Sequence, residues 1–374
     1  MIERRMLLRA GLGAAAGGLA LGRARAEAEP YVLGTLFPMA GPNAEYGTIF
    51  TEGAQLALTH ITADKLLSRP VVLKAEDSQG TPQGGAVGMS KLVNVDHALY
   101  VLIGFTGVSK AAAPIGTRAK VVMVNGGGVG PDLAGLSPYY WNVIPLASAE
   151  VSRIAPFLVA KGWKRVALIY MDDPFGNGLR KSMQSDLPKA GGEIAGLFAI
   201  TPAEQQFSAL AAKVRDARPD AVYFASYGAQ QAQIIKQLRD NGIDQQLVTY
   251  SGALIPSVRS LPQAEGLIFT VQTAPWSATD PVTKRFLADW QATHKDLPSV
   301  YHQNYYNAVR LFGLLAHGLE QQGKPVDGDS LRAELMRVRR FALVGGEGTF
   351  DDLGDLSVPI DIETLKGGQP VKLD

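Results

Sequence analysis

YVLIGFTGVSKAAA, residues 100–113, sets the reading of the whole chain. Residues 100–103 form a short run of aromatic, β-branched and aliphatic side chains, the pattern of a buried strand. Gly104 to Gly107 interrupts it with small residues, and from Ser109 the stretch turns rich in alanine, a strong helix former. Strand, tight turn and helix start place that turn at the carboxyl end of a strand, where open α/β sheets bind ligands. First-turn amides of a helix lack intrahelical partners and the dipole is positive there, so the turn suits an anion. Thr106 adds a hydroxyl that can donate to the same anion.

Outward from this unit the alternation repeats. Before it come a strand at 31–37, a Gly/Pro/Asn-rich loop at 38–47, a helix at 52–67, a strand at 71–76 and a helix at 84–95. After it come a strand at 121–124, a glycine loop at 125–130 and an extended aromatic segment at 140–144. A second series begins with a helix at 150–161, a strand at 166–170 and a loop at 172–178. It continues with a helix at 179–190, a strand at 193–200, a helix at 207–218, a strand at 221–225 and a helix at 230–241. Strands at 247–250 and 267–271, helices at 281–294 and 299–320, a strand and turn at 348–354, and a hairpin around Gly367-Gly368 complete the chain. Connections of a few residues between alternating elements predict parallel sheets built from βαβ units, and two series predict two α/β lobes.

Composition agrees. With 374 residues, 46% of them hydrophobic and 19% charged, the chain can bury more than one core. A net charge of +1 without a long basic run argues against nucleic acid and anionic membrane as partners. Having no cysteine, it forms no disulfide and does no thiolate chemistry. Residues 1–28 read as a signal peptide: Arg4-Arg5 followed by Leu7-Leu8, a mild Gly/Ala-rich segment at 11–22, and A-x-A sites at Ala24-Arg25-Ala26 and Ala26-Glu27-Ala28. That predicts a periplasmic protein exported by the twin-arginine route, with no membrane insertion after removal.

An enzyme is disfavoured. The glycines after the strand at 121–124 do not complete a dinucleotide fingerprint, because Pro131 stands where the third glycine belongs. The chain has neither a G-x-S-x-G elbow nor an H-E-x-x-H pair, and its five histidines are scattered. No catalytic residue, metal site or cofactor is expected.

The ordered set PMAGPNAEYG, EDSQGTPQGG, LIGFTGVSKAAAP, VALIYMDDPFGNG, PDAVYFASYG and GTFDDLGD resembles the leucine/isoleucine/valine-binding family of periplasmic substrate-binding proteins, from residue 31 essentially to the C-terminus. The resemblance implies a type I periplasmic binding fold, α/β, with two Rossmann-like lobes joined by three hinge crossings. It implies lobe 1 at 29–144 and 273–345, lobe 2 at 145–272, and the segment 346–374 on lobe 2, with crossings near 142–147, 270–275 and 344–348. It further implies a monomer that takes a small ligand and meets the membrane subunits of an ABC permease.

By the same resemblance, specific positions line the cleft. Tyr46 is a lobe 1 wall residue, and Thr106 with the Gly107 amide holds a ligand carboxylate beside Phe105. Gly127, Gly128 and Val129 form the neighbouring loop, while Phe175 and Tyr227 face the ligand from lobe 2, with Tyr301 or Tyr305 as further aromatics. Two departures stand out: Ser251 occupies the position of the acid that meets an amino acid's ammonium, and Val129 replaces a hydroxyl. An unpaired buried charge is costly, so the ligand implied is a carboxylate without an α-amino group, an aromatic or other organic acid, in a wider and more apolar pocket. The alternatives are a branched-chain amino-acid or amide ligand, for which Asp172, Asp173 or Glu45 would have to reach in, and a ligand-sensing subunit of the same fold.

Overall fold

The computed structural model describes residues 29–373; the signal-peptide and twin-arginine reading lies outside them. The first sheet holds β1 (Tyr31–Phe37), β2 (Val71–Asp77), β3 (Tyr100–Ile103), β4 (Val122–Asn125) and β5 (Tyr140–Asn142), all parallel, in the order β2-β1-β3-β4-β5. Helices α1 (Ala44–Ala63), α2 (Pro82–Asn94) and α3 (Thr106–Ala119) connect its first four strands. Helices on both faces explain why β3 and β4 are buried throughout, whereas edge strand β2 carries Lys74, Glu76 and Asp77.

The second sheet opens with β6 (Arg165–Met171), β7 (Glu193–Ile200), β8 (Ala221–Ala225), β9 (Gln246–Thr249) and β10 (Ile268–Gln272), again parallel to one another. Its helices are α4 (Ala147–Ala160), α5 (Pro174–Lys189), α6 (Ser208–Asp216), α7 (Gly228–Asp240) and the short α8 (Pro256–Arg259). The chain then returns to the first lobe as α9 (Pro281–Gln291), α10 (Val300–Gln321) and α11 (Gly328–Val338). Tyr100 and Tyr305 tie α10 to the first sheet, their hydroxyls donating to the carbonyls of Ala308 (2.7 Å) and Ile103 (2.9 Å).

Next comes a separate three-stranded antiparallel sheet of β11 (Arg340–Leu343), β12 (Gly346–Phe350) and β13 (Leu356–Ser357). Only after it do β14 (Ile360–Lys366) and β15 (Gln369–Lys372) join the second sheet, antiparallel at the edge beside β10. The third passage therefore falls at 358–359, later than the expected 344–348, because 340–357 pairs with itself first. The result is two α/β lobes with parallel central sheets and three crossings between them.

The carboxyl ends of both sheets face each other across the cleft, and the lobes touch there. The Glu45 carboxylate accepts from the Ser257 amide (3.0 Å) and hydroxyl (2.6 Å) at the start of α8. Gly178 on α5 lies against Pro131, which follows β4.

Candidate ligand-binding cleft

Helices start earlier than their sequence signals suggest, and this decides how the site is built. The expected loops at 38–47 and 172–178 are shorter, so Tyr46 and Phe175 stand on the first turns of α1 and α5. Asp173 caps α5 by accepting from the Gly176 amide (2.8 Å). Tyr227 is the residue before α7, and Phe105 the residue before α3. Phe105 has φ +66°, an uncommon conformation for a side-chain-bearing residue and one that recurs at ligand sites.

Six aromatic rings from both lobes meet in a chain, edge to face from Tyr301 to Tyr227 and tilted from there to Tyr250. Tyr301 contacts Tyr46 (centroids 5.7 Å), Tyr46 contacts Phe105 (5.4 Å), and Phe105 crosses to Tyr227 (5.1 Å). Phe175 then links Tyr227 (5.8 Å) to Tyr250 (4.9 Å). With Thr106, Gly127, Gly128 and Val129 they line one small cavity between the lobes, of the concave and mostly apolar kind that holds small molecules. The pocket is apolar as expected, but it is narrow.

Its polar groups sort into engaged and available. Tyr227 donates to Asp173 (2.5 Å), Tyr250 to the Ser226 carbonyl (2.9 Å), and the Tyr301 hydroxyl pairs with Ser251 Oγ (3.2 Å). Asn125 Oδ1 accepts from the amides of Gly127 (3.2 Å) and Gly128 (2.7 Å), so the glycine loop is wound on Asn125. A Cβ on Gly127 would sit 2.5 Å from Phe50; the loop is glycine-rich because it packs closely on that ring. Thr106 Oγ1 accepts from the Gly130 amide (3.0 Å), which leaves its hydroxyl proton to donate into the cavity. The buried Tyr46 hydroxyl faces Gly228 and Tyr250 and completes no hydrogen bond among the described residues.

Eight of the ten candidate residues thus line one cavity: Tyr46, Phe105, Thr106, Gly127, Gly128, Val129, Phe175 and Tyr227. Gly107 lines instead a larger outer vestibule between the lobes, which Tyr227 separates from the inner space. Ser251 lies behind Tyr301 as its hydrogen-bond partner, and Tyr305 is buried in lobe 1. Tyr250, which closes the run at 247–250 directly after β9, is a wall residue that the sequence does not single out. The three acids that could have met an ammonium are engaged elsewhere: Glu45 with Ser257, Asp173 with Tyr227, and Asp172 with Asn177 (2.9 Å).

The other missed residue is Glu150, an acid on the buried face of α4 with Ile154 and Leu158 at helical spacing. It is 1% exposed; Thr270 Oγ1 donates weakly to Oε2 (3.4 Å), Ser251 reaches the carboxyl, and Oε1 has no partner. Burial pushes its pKa up to about 8, against a smaller lowering by Thr270 and Ser251, so the carboxyl is mostly neutral at pH 7.

Thr106→Val is expected to weaken ligand binding by about 1–3 kcal/mol, since it removes the donor and also strands the Gly130 amide. Calorimetry on the variant checks this; unchanged affinity would take Thr106 out of the site.

Two lobes closing on an aromatic cavity at their facing strand ends define a small-molecule binding protein. The chain belongs to the periplasmic binding protein family, whose model matches residues 30–369. It is 27% identical over 365 residues to Leu/Ile/Val-binding protein homolog 3 of Brucella melitensis, covering 95% of this chain and 96% of that protein. Its fold matches a leucine binding protein of Thermotoga maritima at a TM-score of 0.83 and 22% identity, covering 92% of this chain and 97% of that one. A solute binding protein of an ABC transporter from R. palustris, solved in complex with benzoate, matches at a TM-score of 0.81 and 16% identity, covering 92% and 96%. The chain is a solute-binding protein of this periplasmic family, and among its described residues no helix is long and apolar enough to cross a membrane.

Proposed function

We propose that the protein captures a small carboxylate lacking an α-amino group, an aromatic or other organic acid, between its closing lobes and hands it to ABC permease membrane subunits. Export by the twin-arginine route and action as a monomer belong to the same reading; no reaction is catalysed. One observation carries it: the cavity offers the Thr106 and Tyr46 hydroxyls and aromatic walls, and no ionised carboxylate faces it. An amino acid would bring its ammonium against Val129 and the rings, uncompensated, at a cost of several kcal/mol. The amides at the start of α3 and its dipole favour the carboxylate end of the ligand. The same fold holds benzoate in the R. palustris protein, so it is compatible with an unaminated acid.

A thermal-shift screen tests this. Benzoate, its hydroxylated analogues and short aliphatic acids should raise the melting midpoint by mass action, and free amino acids should leave it unchanged. A shift confined to amino acids would replace this reading.

A further inference from the structure

Glu150 sits where a charge can be felt by the ligand without touching it. Its carboxyl lies behind Ser251, whose hydroxyl pairs at 3.2 Å with the hydroxyl of Tyr301, a wall residue of the cavity. The carboxyl is closed off from solvent, one oxygen has no partner and the other has a single long bond to Thr270. A carboxylate so placed lacks the hydrogen bonds and countercharge that ionisation requires. The groups around it supply none. Tyr223 of β8, Tyr250 after β9 and Tyr301 of α10 feel its charge as neutral phenols, each held neutral by burial. From β10 comes the Thr270 hydroxyl. On α5 and β14, which also pack on α4, the charged groups look elsewhere: Asp186 is held by Ser152 (2.7 Å) and Asp361 by Lys372 (2.7 Å), and Glu363 responds to Asp361 and Lys372.

We propose that Glu150 is the specificity-determining residue for ligand charge: a neutral carboxyl behind Ser251 lets the cavity accept an anion, and its ionised form turns the cavity towards ligands that carry an amino group. This rests on reading the cavity as a carboxylate site. When the proton leaves to solvent, a negative charge appears two hydroxyls away from the ligand. It repels a bound carboxylate and supplies the countercharge an ammonium needs. The residue acts through Ser251 and Tyr301, so it positions charge without contacting the ligand.

The test titrates benzoate and leucine into the mature protein and into Glu150→Gln, at about pH 6 and about pH 9, on either side of the range in which a raised carboxyl loses its proton. In the wild type, benzoate affinity should fall roughly tenfold or more from the lower to the higher pH, and leucine binding should rise. Glu150→Gln should hold its benzoate affinity at both. Benzoate binding with the same pH profile in both proteins overturns the assignment. If no unaminated acid binds at the lower pH, the carboxylate reading fails, and Glu150 is then judged by stability alone. A carboxyl neutral when folded and ionised when unfolded makes the wild type lose stability as pH rises from its ordinary value of 4.5 to about 8. Glu150→Gln should therefore melt progressively higher than the wild type across that interval; a gap that does not change with pH rejects a buried neutral Glu150.

Discussion

Gly178→Leu is expected to weaken ligand binding roughly 100-fold or more, about 3 kcal/mol, while both lobes stay folded. Gly178 lies on α5 in the second lobe, and a Cβ built there would stand 2.7 Å from Pro131 Cδ in the first. A full leucine side chain has no space in the closed form, so the lobes must part by more than a methyl group can absorb. The cavity walls come from both lobes, with Phe105 meeting Tyr227 across the cleft, and parting them separates the rings from one another. The open form does not pay for this change, since leucine is about 1 kcal/mol better than glycine within a helix. The expected result is therefore a protein that melts as high as the wild type or higher, yet binds poorly. Calorimetry and a melting curve on one sample check both halves; unimpaired binding would mean that this contact is not part of the ligand-bound state.

Trp141→Ala is expected to cost about 3–5 kcal/mol of stability, lowering the first lobe's melting midpoint by roughly 10 °C. Trp141 is 0% exposed on β5, beside the first passage between lobes. Its ring packs on Tyr100 (centroids 6.3 Å) and lies so close to Gly354 that a Cβ there would be 2.4 Å from Cδ1. The next residue, Asn142, donates to Asp355 Oδ1 (2.6 Å) and takes the Gly354 carbonyl on its amide (3.1 Å). The tryptophan thus fills the space where the first sheet meets the segment leading back to the second. A midpoint lowered by less than about 2 °C would contradict this view of the junction.

The sequence is most legible where burial is complete. Residues 100–103 and 221–225 read as strands with the bounds the structure has, because fully buried apolar runs between Gly, Pro and charged residues have few other uses. Helix starts are less legible. Gly47 in α1, Pro174 in α5 and Gly228 in α7 resemble loop residues, but each lies in a first helical turn or close to one, so the sequence pattern alone places Tyr46 and Phe175 on loops. Helix α11 and strand β11 are absent from the sequence expectation, although Asp327 caps the helix through the Ser330 amide (2.8 Å). The cavity walls were largely readable because they follow strands, which is a matter of chain order. Glu150 was not: its place behind Ser251 depends on how α4 packs against β10 and the segment after β9, contacts that lie about a hundred residues apart in the chain.

The claim that the cavity admits a carboxylate but not an ammonium is tested most directly by paired calorimetric titrations at about pH 6, where Glu150 is neutral. 3-Phenylpropanoate is set against phenylalanine, and 4-methylvalerate against leucine, so that each pair differs only in the amino group, with benzoate titrated beside them. The account predicts binding in the micromolar range by at least one unaminated acid and no measurable heat from either amino acid. Micromolar leucine binding with no response to any unaminated acid would contradict it.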